Sequence, residues 1–271
     1  MIRKIIKSIF NKFPALIAFF RNSRDLLDQN SSPKATPWGF TLAGNDAMSS
    51  GTFEPQETVI FNKMLEEVDV FVNVGANIGY YCCLALKQNK TVIAVEPISR
   101  NVHYLLKNLK DNGWEKKAEV FPLALGAETN ILQIYGGNTG ASLIPGWASI
   151  PDNYVSQVPV LTLDRLLGDR IKGKKSLILV DIEGAELMML QGASLTLKSV
   201  PRPIWMMEIT TTEHQPNGIM NPNFIKTFDV FFENGYDAYT DDAENINIDK
   251  KYVEAVASNQ RQIKTHNFIF K

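Results

Sequence analysis

The sequence predicts a doubly wound α/β fold. Short apolar runs with strand character alternate along the chain with stretches that have helical spacing. The runs at 70–74 and 91–95 are almost entirely apolar, which is typical of parallel strands covered by helices on both faces. Hydrophobic residues make up 45% and charged residues 21% of the chain, close to the globular average, so a disordered or collagen-like chain is excluded.

The predicted elements follow from local patterns in chain order. A helix at 55–68 begins with a proline, and the helix at 101–109 is ended by Asn112 and Gly113. The remaining predictions are helices at 78–86 and 224–233 and strands at 70–74, 91–95, 119–125, 131–135, 158–163, 177–180 and 203–209, with last strands around Ala238 and Phe268.

Residues 1–53 are predicted to be an N-terminal extension that precedes a domain at 54–271. Residues 28–53 are polar and contain prolines, so we expect a connector without regular structure there. Residues 1–24 carry six basic and no acidic side chains, and residues 2–13 show apolar residues at helical spacing. Such a helix either packs on its own domain, which we favour, or lies on a partner or on an anionic membrane surface at the inner face of the membrane.

Charge and cysteine content narrow the function classes. The formal net charge is −1, whereas a general nucleic-acid binder is usually strongly basic, so we expect no nucleic-acid partner. The two cysteines, Cys82 and Cys83, are adjacent, a spacing that suits neither an ordinary disulfide nor a metal cluster. We therefore predict a reduced, cytoplasmic protein. The sequence leaves its oligomeric state open.

A glycine turn follows the first predicted parallel strand. After 70–74 come Gly75-Ala76-Asn77-Ile78-Gly79, where Gly75 allows a sharp turn and Gly79 lets the next helix approach closely. Backbone N–H groups at the start of that helix would face a polar ligand. A turn that serves only to connect strand and helix would give the same pattern.

An acidic residue ends the next strand. Glu96 follows the strand at 91–95 and precedes Pro97, which ends the strand. A carboxylate at this position can accept both hydroxyls of a ribose, as in dinucleotide sites. The 17 glycines contain no Gly-x-Gly pair, so the pattern of an NAD site is missing. A ligand with a ribose but without phosphates fits better, and the cofactor predicted is S-adenosylmethionine.

At this point the sequence resembles the FkbM family of S-adenosylmethionine-dependent methyltransferases. The motifs that carry the resemblance lie in order between about residues 70 and 210. They are Asn73-Val74-Gly75-Ala76-Asn77-Ile78-Gly79, Val95-Glu96-Pro97, Gly140-Ala141-Ser142-Leu143, Val160-Leu161-Thr162-Leu163-Asp164, Asp181-Ile182-Glu183-Gly184-Ala185-Glu186 and Leu190-Gln191-Gly192-Ala193. The resemblance implies a seven-stranded, mostly parallel Rossmann-like sheet of the class I methyltransferase type. It also implies methylation of a hydroxyl on a sugar, polysaccharide or secondary metabolite.

Taken with the turn and the acid, the resemblance implies a set of cofactor-binding residues. They are Asn73, Gly75, Asn77, Ile78, Gly79, Glu96 and Asp181. The chain departs from the family at Asn73, where an aspartate is usual, and at Val180, where a lysine is usual. Loss of one charge-assisted contact at Asn73 would weaken cofactor binding by about 1–3 kcal/mol.

Three residues near predicted strand ends are candidates for the chemistry. Asp181 ends the strand at 177–180, Glu208 lies at the end of the strand at 203–209, and His214 follows in the loop. Either a carboxylate or the imidazole could remove the proton of an acceptor hydroxyl. We expect catalysis without a metal, because no tight ligand spacing requires one.

Two other function classes stay open from the sequence. One is a binding protein that keeps the methyltransferase fold but does not catalyse. The other is a nucleotide-dependent oxidoreductase, which the missing glycine pattern disfavours. For the enzyme, the expected partner is a small-molecule or saccharide acceptor.

Overall fold

The computed structural model describes residues 31–137 and 139–271 as an α/β fold. Its strands are β1 (Lys34–Ala35), β2 (Thr41–Leu42), β3 (Val70–Val74), β4 (Thr91–Val95), β5 (Ala118–Phe121), β6 (Ala124–Leu125), β7 (Asn130–Tyr135), β8 (Val155–Leu161), β9 (Ser176–Val180), β10 (Ile204–Glu208), β11 (Ala238–Thr240), β12 (Asn247–Ile248) and β13 (Asn267–Phe270). Its α-helices are α1 (Asp46–Ser50), α2 (Pro55–Leu65), α3 (Tyr80–Lys87), α4 (Ser99–Asp111), α5 (Leu163–Leu167), α6 (Glu186–Gln191), α7 (Phe224–Glu233) and α8 (Lys250–Ala257).

The main sheet confirms the doubly wound, mostly parallel prediction. Its eight strands run in the order β12-β11-β13-β10-β9-β3-β4-β5. The five from β10 to β5 pair in parallel, and the other three pair antiparallel at one side. The one strand beyond the expected seven is β12, a two-residue strand at the edge. After β3 the chain builds β4 and β5 on one side and later β9 and β10 on the other, so the strand order reverses between β3 and β9.

Each face of the main sheet carries its own hydrophobic core. Side chains alternate along a strand, so Ile178 and Val180 of β9 join one core while Leu177 and Leu179 join the other. Helices α5 to α8 cover the first face, and α2, α3 and α4 cover the second. Because both faces are covered, the central strands are buried along their whole length, as their continuous apolar sequences predict.

The structure corrects the prediction of a connector without regular structure at residues 28–53. From residue 33 onward it contains β1, β2 and α1, and β1 pairs antiparallel with β2. Phe40, Leu42 and Met48 are buried in the second core, and Asn108 of α4 bonds both backbone groups of Ala43. The predicted boundary at residue 54 therefore does not coincide with a break in the packing. A pattern of strand type was present in the sequence, because Trp38, Phe40 and Leu42 alternate with Gly39 and Thr41.

The predicted strand at 119–125 is divided in two. Its first part is β5 of the main sheet, whereas β6 joins β8 and β7 in a separate three-stranded sheet. The predicted strands at 131–135 and 158–163 lie in this small sheet, because β7 pairs antiparallel with β8.

The basic N-terminal helix predicted at residues 2–13 lies outside the described residues. Among the residues that are described, none of the helices has the length and apolar character needed to cross a bilayer.

Truncation of Leu42 tests whether the early hairpin belongs to the core. Leu42 is 1% exposed, so Leu42→Ala should lower the free energy of unfolding by about 2–5 kcal/mol, through lost burial and the cavity left behind. Urea unfolding followed by circular dichroism measures the change. The control is Val200→Ala, at a side chain that is 83% exposed, which should change stability by less than about 0.5 kcal/mol. Equal effects of the two variants would contradict the placement of the hairpin.

Candidate active site

A cavity of about 330 Å³ opens at the carboxyl ends of the central strands, beside the point where the strand order reverses. Its volume is in the range of small-molecule sites. Six of the residues predicted from the sequence line it, namely Gly75, Asn77, Glu96, Asp181, Glu208 and His214.

Gly75 joins β3 to the turn that forms one wall of the cavity. Its φ of 87° lies in the left-handed region, and a Cβ atom there would overlap the carbonyl oxygen of Asp181. Its N–H and that of Ala76 both donate to the carbonyl of Val95, at 2.9 Å each. The turn therefore requires glycine both for its conformation and for the space between two strand ends.

Glu96 is buried at the end of β4 and holds the same turn in place. Its carboxylate accepts the N–H of Asn77 and the N–H of Ile98, both at 2.8 Å, and the side-chain amide of Asn101 at 3.3 Å. Burial raises the pKa of Glu96 to about 7, although the bonds from Ile98 and Asn77 act in the opposite direction.

Asp181 and Glu208 are brought together by the register of two parallel strands. Val180 of β9 lies beside Met207 of β10, so the next residue of each strand reaches the sheet edge at the same level. Burial, followed by the charge of Glu208, raises the pKa of Asp181 well above its usual range. Burial, followed by the charges of Glu183 and Glu186, raises the pKa of Glu208 to about 8. The two carboxyls hydrogen-bond each other, an arrangement that retains one proton near neutral pH.

Glu183 connects three loops at the cavity mouth, a role that sequence analysis missed. Its carboxylate accepts the indole N–H of Trp147 at 2.6 Å and lies 3.7 Å from Nδ1 of His214. Its carbonyl accepts the hydroxyl of Ser142 at 2.5 Å. Glu183, with φ 56°, and His214, with φ 61°, both adopt left-handed backbone conformations, which non-glycine residues rarely occupy. The sequence signal for this turn was Gly184 directly after Glu183, because a turn with left-handed backbone conformations favours glycine.

Glu54 is a second residue that sequence analysis missed. It precedes Pro55 at the start of α2 with a φ of 41°, and its side chain lines the cavity. Its carboxylate accepts the hydroxyl of Tyr81 at 2.6 Å. Burial raises the pKa of Glu54, while the Tyr81 bond lowers it. Glu54 is about 130 residues from Asp181 and Glu183 along the chain, so no local pattern places it beside them.

Three predicted cofactor residues do not line the cavity. Asn73 points beneath α3, where its amide lies 3.5 Å from the sulfur of Cys82. Ile78 is buried in the second core, and Gly79 packs so closely on Leu105 that a Cβ atom would overlap it. These three residues support the turn, but none of them lines the cavity in which a ligand would bind.

In residues 31–137 and 139–271, no group of three or more His, Cys, Asp or Glu side chains is arranged to hold a metal ion.

Comparison with known families decides the assignment. The model described as the Methyltransferase FkbM domain matches residues 73–238, which is more than half of the chain. The chain belongs to the FkbM methyltransferase family. Membership places it among the S-adenosylmethionine-dependent methyltransferases and confirms the resemblance found in the sequence. A comparison with curated proteins gave no match.

Solved structures of methyltransferases show a similar arrangement. An FkbM methyltransferase from Methylobacillus flagellatus KT is 16% identical, with a TM-score of 0.45 over 85% of this chain and 56% of that one. An O-methyltransferase from Bacillus cereus, solved with S-adenosylhomocysteine (SAH), is 12% identical, with a TM-score of 0.43 over 80% of each chain. A methyltransferase from Agrobacterium tumefaciens is 10% identical, with a TM-score of 0.45 over 89% of this chain and 69% of that one. The present chain thus spans little more than half the length of the Methylobacillus protein.

The cavity of this FkbM methyltransferase fits S-adenosylmethionine. A carboxylate has roughly four acceptor positions, and Glu96 uses three of them for its protein hydrogen bonds. The remaining position is enough to accept one ribose hydroxyl. Apolar walls for a base are provided nearby by Val95, Ile98, Leu123, Leu125 and Ile134.

A further buried carboxylate lies just past β11. Asp241 is 3% exposed, and neither of its carboxylate oxygens has a hydrogen-bond partner in the described part of the chain. Burial, followed by the charges of Glu57 and Asp242, raises the pKa of Asp241 to about 7. The folded protein therefore retains protons on Asp241, Glu96 and Glu208 at pH values where the unfolded chain has lost them.

This difference predicts that the ligand-free FkbM methyltransferase is more stable at pH 5 than at pH 8. Stability falls as pH rises from about 4.5, the range of an unfolded carboxyl, through the folded pKa values of about 7 to 8. Asp241→Asn should reduce the decrease in melting temperature over this interval, because it removes one of these groups. The control is Glu244→Gln at an exposed position, which should leave the pH profile unchanged. A melting temperature that rises from pH 5 to pH 8 would contradict this account.

Proposed function

We propose that the protein transfers the methyl group of S-adenosylmethionine to a hydroxyl of a small-molecule or saccharide acceptor. The proposal rests on the hydrogen-bonded carboxyls of Asp181 and Glu208, which line the same cavity as Glu96 at the end of β4. When bound, the cofactor supplies a methyl group on a positively charged sulfur. In the transfer, the bond from carbon to the acceptor oxygen forms while the carbon–sulfur bond breaks, and its electron pair stays on sulfur.

The residues of the chain have separate roles in this proposal. Glu96 binds a ribose hydroxyl and holds the Gly75 turn against it. The Asp181–Glu208 pair orients the acceptor hydroxyl and takes its proton when one of the two carboxyls is ionised. His214, beside Glu183, is the alternative base. Orientation alone contributes up to about 7–11 kcal/mol to such a step.

Calorimetric titration with S-adenosylmethionine and with NAD separates this function from the two alternatives. The methyltransferase binds only the first ligand and releases SAH when an acceptor is present. A non-catalytic protein of the same fold gives no release with any sugar or extract fraction, and an oxidoreductase binds NAD. The cytoplasmic location and the lack of a nucleic-acid partner stay predictions.

Replacement of Glu96 tests the cofactor site without an acceptor. Glu96→Ala should weaken S-adenosylmethionine binding by about 1–3 kcal/mol, because a hydroxyl loses its acceptor and the Asn77 turn loses its anchor. Isothermal titration measures the change, and circular dichroism verifies the fold. Glu115→Ala, at an exposed position, is the control and should bind like the parent. Full affinity in Glu96→Ala would overturn the site assignment.

Proton release tests the role of the carboxyl pair. A sulfonium cation beside Asp181 and Glu208 favours their ionised form, so S-adenosylmethionine should bind with release of a proton at pH 7. Its affinity should rise with pH, by at most about tenfold per unit, up to about pH 8. SAH has no charge on sulfur, so its binding should release fewer protons. Titrations in buffers of different ionisation enthalpy count the protons.

The matched variants for this measurement are Glu208→Gln and Glu115→Gln. The first removes a titrating group of the pair and should reduce the difference in proton release between the two ligands, whereas the second should preserve it. Identical release with both ligands in the parent protein would place the sulfur away from the pair.

A further inference from the structure

One end of the cavity is lined by four carboxylates, namely Glu54, Asp181, Glu183 and Glu208. They come from three separate parts of the chain, the start of α2, the turn after β9 and the end of β10. Among the described residues that line the cavity, none is a lysine or an arginine. Like charges repel, so this convergence is unfavourable unless a ligand supplies positive charge.

Two of these carboxylates are bonded by neutral donors, and Glu183 also lies 3.7 Å from Nδ1 of His214, which carries a charge only when it is protonated. Glu54 is bonded by the hydroxyl of Tyr81, and Glu183 by the indole N–H of Trp147. Such bonds position a carboxylate without cancelling its charge. The repulsion is felt within the cluster, because the charges of Glu183 and Glu54 both contribute to the raised pKa values of Asp181 and Glu208.

Asp241 is a further buried carboxyl close to this end of the cavity, although it does not line it. Asp241 follows β11, which pairs with β13, and the N–H of Asp241 donates to the carbonyl of Asn267. Asn267 lies in β13 opposite Glu208 of β10. Its buried carboxyl has no hydrogen-bond partner in the described residues, and the charges of Glu57 and Glu54 both act on it.

The cofactor alone does not balance this charge. Four carboxyls converge at this end of the cavity. S-adenosylmethionine has a sulfonium, an ammonium and a carboxylate, a net of about one positive charge, which is fewer than the number of carboxyls that it would meet. A phosphate or carboxylate on the acceptor would increase the repulsion, whereas an ammonium would relieve it.

Building on the methyl transfer proposed above, we infer that the acceptor is a hydroxylated amine, such as an amino sugar, whose ammonium group pairs with Glu54. Glu54 is suited to this role because it faces the cavity from α2, opposite the end of the sheet where the transfer would occur. It also lies outside residues 73–238, the part of the chain that the family model matches. Tyr81 bonds Oε2 of Glu54, which leaves Oε1 as a second acceptor on the same carboxylate.

The test uses protein saturated with SAH and two probe series that differ in charge. The first series is glucosamine, glucose and glucuronate; the second is ethanolamine, ethylene glycol and glycolate. Each probe is titrated at constant ionic strength, and its dissociation constant is obtained from the rise in melting temperature. We expect the amine to bind about tenfold more tightly than its neutral counterpart in at least one series, and the acid to bind most weakly.

Variants connect the preference to Glu54. Glu54→Gln, whose amide oxygen still accepts the Tyr81 hydroxyl, should abolish the preference for the amine, and Glu115→Gln should preserve it. The affinity for SAH is measured first in each protein. If SAH does not bind the parent, the proposed function fails; if it binds but no amine is preferred in either series, only the acceptor assignment is overturned.

An activity measurement gives an independent readout. The protein is incubated with S-adenosylmethionine labelled in the methyl group and a small-molecule extract, and the products are separated by ion exchange at pH 7. Unreacted S-adenosylmethionine is itself a cation and is retained by the exchanger, so a mixture incubated without protein identifies its label. A labelled cationic product that is absent from that mixture supports the inference. Label in the neutral or anionic fractions overturns it.

Discussion

The close contact between Gly75 and the backbone of Asp181 determines the geometry of the whole site. The N–H of Asp181 donates to the carbonyl of Val74, so β3 and β9 remain paired up to the point where each strand ends. Only glycine leaves room for the Asp181 carbonyl at this approach. The turn that carries Asn77 and the acidic segment after β9 therefore face each other across one narrow opening, and the cavity forms there.

The same packing explains the unusual electrostatics. Parallel strands in register bring successive carboxyls to one edge, and helix α2 adds Glu54 from above. Burial and repulsion raise their pKa values, so the site holds protons that it can exchange when a cation arrives. The proposed binding of a sulfonium cofactor, removal of a hydroxyl proton and preference for a cationic acceptor all rest on this one arrangement.

The early hairpin and α2 change how the family fold is used in this chain. The family match begins at residue 73, yet Asn45, Phe53 and Glu54 line the cavity. The Glu96 turn, Asp181 and Glu208 belong to the matched part, whereas Glu54, to which we assign acceptor choice, lies outside it.

Patterns that are local in sequence were sufficient for the central strands, the Gly75 turn and the acids at strand ends. Continuous apolar runs, a glycine after a strand and an acid after the next strand each report a constraint within about ten residues, so Glu96, Asp181 and Glu208 were found from sequence alone. Only the tertiary structure placed Glu54, Glu183 and Asp241, and it turned Asn73 away from the cavity. The physical reason is that charge at this site depends on which distant segments meet: the sequence determines each carboxylate, whereas strand register and helix packing decide which of them repel one another.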